Sequence, residues 1–283
     1  MRSLLAGVLL LLGALLVPVS TAGWWLRETI VPVDGYLEAV TPLAGNDEVR
    51  TAVVDEVVEQ TEATVGDQLP GVVAEQLRPL VRAATARVVE DPAFVSGWQA
   101  ANRDLHAQVV GLLSDGSAPD RSGADVVEIR LDTLTDGVRD ELVDSGVPFA
   151  DQLPATDATL PLGSTADLEQ ARGAYSLLER WGPVLPVAAV ALLVAGLALA
   201  RRRGAALAGT AVLTLVGLGV AGAALVLGRV AYLERLPSGI PRPAASAVFD
   251  TVTAGLRQDL LVVAVVALVA LVVGLLTSRL GRR

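Results

Sequence analysis

One histidine is the residue of this 283-residue sequence best suited to proton transfer near neutral pH. In the amphipathic segment 92–113, Trp98, Asn102 and His106 are spaced four residues apart, so a helix would bring them to one face. An imidazole at the edge of that face could sense pH. A partly buried histidine with a backbone or carboxylate partner fits the same spacing, and we favour that interpretation. Because His106 is the only histidine, a histidine-rich metal site is excluded.

Carboxylates are the other candidates, since paired Asp and Glu side chains can cleave glycosidic bonds and clusters of them can bind Ca²⁺. No stretch has the EF-hand spacing, and the acidic segment 115–125 lacks a ligand at every second position. Cysteine is absent, and all 22 basic residues are arginine. These absences exclude disulfides, cysteine nucleophiles and the lysine of a phosphate-binding loop. We therefore predict a protein that is not an enzyme, with no catalytic residue, no cofactor and no metal site.

Four apolar stretches without internal charges are the main structural elements that the sequence predicts. A helix needs about 17–25 apolar residues to cross a hydrocarbon core of about 30 Å. The sequence predicts a mainly α-helical membrane protein of four spans with an extracytoplasmic domain that includes a small two-stranded sheet. The predicted divisions are span 1 (1–26), an extracytoplasmic helical domain (27–182), span 2 (183–200), span 3 (204–228), a short extracytoplasmic segment with an interfacial helix (229–259), span 4 (260–278) and a cytoplasmic basic tail (279–283).

Arginines predict the orientation, because short loops rich in basic residues stay in the cytoplasm. Four crossings bring all topology-setting arginines to one side: Arg2, Arg201, Arg202, Arg203, Arg279, Arg282 and Arg283. Aromatic anchors at the opposite ends of the spans agree with this arrangement: Trp24, Trp25, Trp181 and Tyr232. We predict a plasma-membrane protein with both termini in the cytoplasm and residues 27–182 outside.

Residues 1–22 also resemble a secretory signal peptide, with Ser20-Thr21-Ala22 as a cleavage site. Cleavage would leave three spans and an outside N-terminus. We favour an uncleaved span, because the apolar stretch continues through Trp24 and Trp25 and exceeds the about 7–15 residues of a signal core.

Charge is divided sharply along the chain. Residues 24–183 hold 28 acidic and 11 basic side chains, a net charge of −17, whereas the remainder holds 3 acidic and 11 basic, a net charge of +8. An acidic domain repels nucleic acid, so no nucleic-acid partner is expected, and it attracts basic proteins. An acidic surface also keeps an exported domain soluble, and for the charge alone we favour this second interpretation.

Apolar periodicity predicts helices within the extracytoplasmic segments over 47–66, 69–89, 92–113, 134–145, 165–181 and 244–257. Asn46 is the predicted N-cap of the first, and Pro79 should kink or split the second. Strands over 126–131 and 158–162 are predicted to pair. The helix 165–181 is expected to run almost directly into span 2 as a stiff element. Helix 244–257 lies at the membrane interface or packs under the large domain.

Small residues four apart in spans 2 and 3 allow close helix packing: Gly196 with Ala200, Gly217 with Ala221 and Gly219 with Ala223. We interpret these pairs as intramolecular contacts and leave homo-oligomerisation open.

Four stretches carry a resemblance: DPAFVSGWQAANRDLHAQVVGLL (91–113), VVEIRLDTLTDGVRDELVDSGV (126–147), LERWGPVLPVAAVALL (178–193) and VFDTVTAGLRQDL (248–260). They resemble an uncharacterised family of four-span integral membrane proteins of high-GC Gram-positive (actinobacterial) bacteria. The resemblance implies the architecture and the localisation and carries no activity.

The predicted function is to bind or scaffold an envelope or secreted protein through the acidic domain, with the lipid bilayer as the other partner. One span, a large outer domain and three further spans also resemble the plan of FtsX-like and MacB-like permease subunits of ABC transporters. The internal cytoplasmic loop 201–203 is too short for a coupling helix that an ATPase could grip. A carboxylate-dependent extracytoplasmic enzyme is the third alternative.

Overall fold

The computed structural model describes residues 2–66, 71–114, 126–130, 159–237 and 239–280. In chain order the elements are α1 (Arg2–Trp25), a π-helical turn (Leu26–Ile30), α2 (Val33–Val40), a 3-10 helix (Thr41–Gly45), α3 (Asp47–Gly66), α4 (Gly71–Glu90), α5 (Pro92–Ser114), β1 (Val126–Arg130), β2 (Thr159–Ser164), α6 (Thr165–Trp181), α7 (Val184–Leu199), α8 (Arg203–Glu234), α9 (Arg242–Val252) and α10 (Ala254–Leu280). The predicted helix 134–145 lies outside the described residues.

The chain divides into two units, each described by itself below. The membrane unit comprises the described parts of Met1–Pro32, Gly173–Tyr232 and Thr253–Arg283, and the acidic unit those of Val33–Arg172 and Leu233–Val252.

The membrane unit is built from helices long and apolar enough to cross a bilayer. Within the described ranges these are Arg2–Ile30, Arg203–Glu234 and Ala254–Arg279. A fourth crossing requires α7, which has only 16 residues, to be counted together with α6. The chain is therefore a mainly α-helical, multi-pass integral membrane protein, with three or four spans in the part that the structure describes.

The connection between α6 and α7 differs from the predicted stiff continuation. The two helices meet at a 54° bend. Gly182 still donates a backbone hydrogen bond to Leu178, but Pro183 and Pro186 have no N–H with which to continue the ladder. The helices follow each other almost directly, as predicted, but the bend means that they are not one near-continuous helix.

Glycines set how closely the membrane helices approach. Leu193 of α7 lies over Gly13 of α1, and Leu10 of α1 lies over Gly196 of α7, so α1 and α7 run antiparallel with leucine packed on glycine at both positions. Gly217 likewise faces Pro18. Two of the small residues singled out from the sequence, Gly196 and Gly217, therefore do make contacts within the chain.

The acidic unit has its own apolar core. Buried side chains of α2, the 3-10 helix, α3 and α9 form it: Leu37, Val40, Leu43, Val49 and Ala244. Trp98 of α5 packs against this cluster. The helix predicted over 244–257 therefore contributes to the core of this unit through α9, the second of its two predicted locations.

Local capping explains where two helices of the acidic unit begin. The Asn46 side chain accepts hydrogen bonds from the backbone N–H groups of Glu48 (3.1 Å) and Val49 (3.2 Å), as the predicted N-cap of α3 should. Asp91 caps α5 in the same way through Ala93 (2.8 Å). Pro79 does not split α4, which is assigned as one helix from Gly71 to Glu90.

Strands β1 and β2 pair antiparallel, with Val126 opposite Ser164 and Arg130 opposite Thr159. The residues that connect them, 131–158, lie outside the described part of the chain. A small sheet as part of the folded outer domain therefore stays a prediction.

Candidate functional site

Trp98, Asn102 and His106 occupy one face of α5, and this face packs against α2. The Asn102 amide nitrogen donates to the carbonyl of Trp98 (2.8 Å), and the Tyr36 hydroxyl donates to the Asn102 amide oxygen (3.0 Å). The Tyr36 and His106 rings are stacked at a tilt of 30°, with 4.8 Å between their centroids. The side chains of Tyr36, Asn102 and His106, together with the backbone carbonyl of Trp98, thus form one hydrogen-bonded and stacked cluster, which we call the Tyr36 cluster.

The Tyr36 cluster is tied to the core below it. The Trp98 indole N–H donates to the Val40 carbonyl (3.0 Å), and Gln99 donates to the Thr41 hydroxyl (3.2 Å), which itself donates to the Leu37 carbonyl. These bonds satisfy carbonyls where α2 ends, at which backbone acceptors have no intrahelical partner. The cluster therefore positions α5 on α2 and holds His106 half-buried beside Tyr36.

Tyr36 is the member of the cluster that the sequence does not reveal. It lies 66 residues before Asn102 in a short helix, α2, that contains Gly35. Contacts between residues so far apart leave no periodic signal. The only local clue is that Tyr36 is the single aromatic residue of α2.

Burial raises the pKa of the Tyr36 hydroxyl above its ordinary value of 10.0. Above pH 10 the unfolded chain therefore releases this proton before the folded chain does. The stabilising contribution of the neutral phenol is complete below pH 10 and is lost as the pH rises through the pKa of the folded state.

We expect Tyr36→Phe to remove this alkaline loss of stability and, at neutral pH, to cost about 0.5–1.5 kcal/mol for the lost hydrogen bond to Asn102. Urea unfolding of the detergent-solubilised chain at pH 8 and pH 11 measures both effects. The chain suits the test, because it has no lysine and only three tyrosines. Tyr175→Phe is the matched control, and an equal change in its alkaline stability would contradict the assignment to Tyr36.

The predicted topology-setting arginines gather at one end of the membrane unit. Arg2 begins α1, Arg201 and Arg202 link α7 to α8, Arg203 begins α8 and Arg279 lies near the end of α10; all five are exposed. The antiparallel contact of α1 with α7, together with the close approach of Gly204 to Ser278, brings these helix ends together. Arg282 and Arg283 lie outside the described residues.

The predicted aromatic anchors divide into two groups. Trp24, Trp181 and Tyr232 are exposed by 49%, 50% and 39%. Trp25 is only 7% exposed, because its indole ring packs on Gly255 at the start of α10. Its N–H has no hydrogen-bond partner among the described residues. The anchoring role of these four aromatic residues stays a prediction, and Trp25 also serves as a packing contact between α1 and α10.

No group of three or more histidine, aspartate or glutamate side chains able to hold a metal ion occurs among the described residues. Comparisons of the chain with protein-family models, curated protein sequences and solved structures found no match. The chemistry of the described side chains is therefore the basis for the function proposed below.

Proposed function

We propose that the acidic unit is held outside the cytoplasmic membrane of a bacterium, where it binds a basic surface of an envelope or secreted protein. In this role the membrane helices anchor and orient the unit, and the chain performs no reaction of its own. The resemblance to a family of actinobacterial membrane proteins is consistent with this setting.

The observation that carries the proposal is that α2 and α3 bury apolar side chains and expose carboxylates. Their apolar residues enter the core shared with α9, while six carboxylates on the same two helices are exposed. Besides Asp47 and Glu56, these are Asp34, Glu38, Glu48 and Glu59. We call the latter four residues the acidic set. Exposed charges of one sign raise the rate of encounter with a partner of opposite charge and select against like-charged partners.

The gathered arginines support the orientation. A membrane-spanning helix bundle with its exposed arginines at one end is expected to keep that end in the cytoplasm. The acidic unit enters and leaves the membrane unit at residues 32–33, 172–173, 232–233 and 252–253. Each of these junctions is separated from the arginine end by the length of an apolar helix, which supports an extracytoplasmic location of the acidic unit.

The ABC-permease alternative is weakened by the link between α7 and α8. Only residues 200–202 separate these helices. A link of that length holds no helix on which a cytoplasmic ATPase could act. We therefore propose binding or scaffolding rather than transport coupling.

Single-cysteine variants test the proposal cleanly, because the chain contains no cysteine. Thr51→Cys on α3, near the acidic set, and Ala205→Cys at the arginine end of α8 are both exposed positions. A membrane-impermeant maleimide carrying a photocrosslinker should label Thr51→Cys in intact cells and Ala205→Cys only after lysis. Irradiation should then crosslink Thr51→Cys to a basic envelope or secreted protein, with a yield that falls as salt rises.

The matched charge variants decide whether the acidic set is responsible. Converting Asp34, Glu38, Glu48 and Glu59 to their amides should abolish most of the crosslink. Converting four other exposed carboxylates, Glu28, Glu90, Glu169 and Glu234, should leave it unchanged. Equal losses in both variants would overturn the proposed surface, and labelling of Ala205→Cys in intact cells would overturn the orientation.

A further inference from the structure

A groove within the membrane unit runs between the second half of α8 and the first half of α10. It has a volume of about 500 Å³ and is partly open. Nine of its lining residues are leucine, valine, alanine or glycine and form a trough: Leu215, Leu218, Gly219, Gly222, Leu225, Val226, Leu260, Leu261 and Ala264. The volume falls within the about 300–1,000 Å³ typical of small-molecule sites.

Two arginines line one end of this trough. Arg229 belongs to α8 and Arg257 to α10, and both contribute to the same groove. A guanidinium group carries five N–H donors in a planar fork that matches phosphate oxygens. Each arginine can therefore donate to a phosphate and still keep a contact within the protein.

Two glycines of α8, Gly219 and Gly222, line the trough. A β-carbon at Gly219 or Gly222 would meet no atom within 4 Å. A larger side chain at either position would project into the groove and fill it without displacing a neighbouring helix.

We propose that this groove binds one acidic phospholipid, with an acyl chain in the apolar trough and the headgroup phosphate between Arg229 and Arg257. The groove lies between two helices long and apolar enough to cross a membrane, so its apolar lining is expected at the depth of the hydrocarbon core. An apolar trough with a cationic end matches an amphiphile with an anionic head. A soluble anion would leave the trough empty, and a zwitterionic lipid would bring its own ammonium cation close to the two guanidinium groups.

The test uses the full chain purified in detergent, with bound lipid measured by native mass spectrometry. Phosphatidylglycerol and phosphatidylcholine of identical acyl chains are added in separate titrations, and glycerol phosphate serves as the headgroup without chains. We expect a single phosphatidylglycerol to bind about tenfold more tightly than phosphatidylcholine, because the choline ammonium of the latter brings a like charge close to the two guanidinium groups. Glycerol phosphate should not compete at the same concentrations. Equal binding of the two lipids, or full competition by glycerol phosphate, would refute a lipid site.

Matched variants locate the site. Arg229→Gln with Arg257→Gln should lower phosphatidylglycerol binding to the level of phosphatidylcholine, whereas Arg279→Gln, at the other end of α10, should leave it unchanged. Gly222→Leu should weaken both lipids, and Gly209→Leu, at a glycine of α8 outside the groove that also faces open space, should weaken neither. Loss of binding in Gly209→Leu equal to that in Gly222→Leu would place the lipid elsewhere.

Discussion

Leu43→Ala is expected to destabilise the acidic unit by about 2–5 kcal/mol, the cost of removing a large side chain from a core that cannot close around the cavity. Leu43 is 2% exposed and is the largest fully buried side chain among the described residues. It lies in the 3-10 helix between α2 and α3 and packs with Leu37, Val40 and Val49. Truncating it removes contacts to both flanking helices at once.

The matched control is Leu80→Ala on α4 of the same unit. Leu80 is 66% exposed, so the substitution is expected to change stability by no more than about 0.5 kcal/mol. Urea-dependent hydrogen exchange, followed by mass spectrometry of peptides from residues 33–59, measures the local free energy of unfolding in both variants. Equal shifts would mean that the core centred on Leu43 does not hold α2, α3 and α9 together.

The helices that could be predicted from the sequence are those with strong local signals. Predicted and observed bounds agree for α3 and α6, and α5 extends one residue beyond the prediction. In α3 the signal begins with the Asn46 cap and two acidic residues in the first turn. Capping residues and the apolar repeat act within a few residues of each other, so local reasoning is sufficient there.

Elements held by distant contacts could not be predicted in the same way. Helix α2 and the following 3-10 helix were not predicted, because Gly35 and Pro42 interrupt the apolar pattern. Apolar spacing predicts a helix that ends at Arg257, whereas α9 ends at Val252 and α10 begins at Ala254. Apolar spacing continues through this junction, so periodicity alone does not mark the turn at Thr253.

The candidate site shows the same limit. The common face of Trp98, Asn102 and His106 follows from helical spacing alone. Its partner Tyr36 and the anchoring carbonyl of Val40 come from another helix and depend on the tertiary fold. A charge count predicts an acidic domain, but only the structure shows which carboxylates of α2 and α3 are exposed beside a buried core.

In the membrane unit, hydropathy predicts which segments span but not how they touch. Sequence reasoning chose Gly196 and Gly217 from many small residues and did not select Gly13, Gly204 or Gly274. In a chain with 27 glycines, small-residue spacing is too common to identify contacts. The glycines that make contacts can be identified only from the structure, which shows where the helices cross.

Gly274→Ala is expected to destabilise the membrane unit by about 1–3 kcal/mol through overpacking. A β-carbon at residue 274 would lie 2.7 Å from the Ala208 backbone nitrogen and 2.8 Å from the Gly204 carbonyl oxygen. Both are backbone atoms of α8, so no side-chain rotation can relieve the clash. The two helices must therefore separate at this close approach.

Gly209→Ala in α8 adds the same methyl group where no atom lies within 4 Å. Replacing a helical glycine by alanine at such a site is expected to stabilise by about 0.5–1 kcal/mol, because the unfolded chain loses conformational freedom. SDS titration of the solubilised chain monitored by circular dichroism should therefore give shifts of opposite sign for the two variants. A stabilised Gly274→Ala variant would mean that α8 and α10 do not approach at Gly274, since helix propensity alone acts in the favourable direction at both positions.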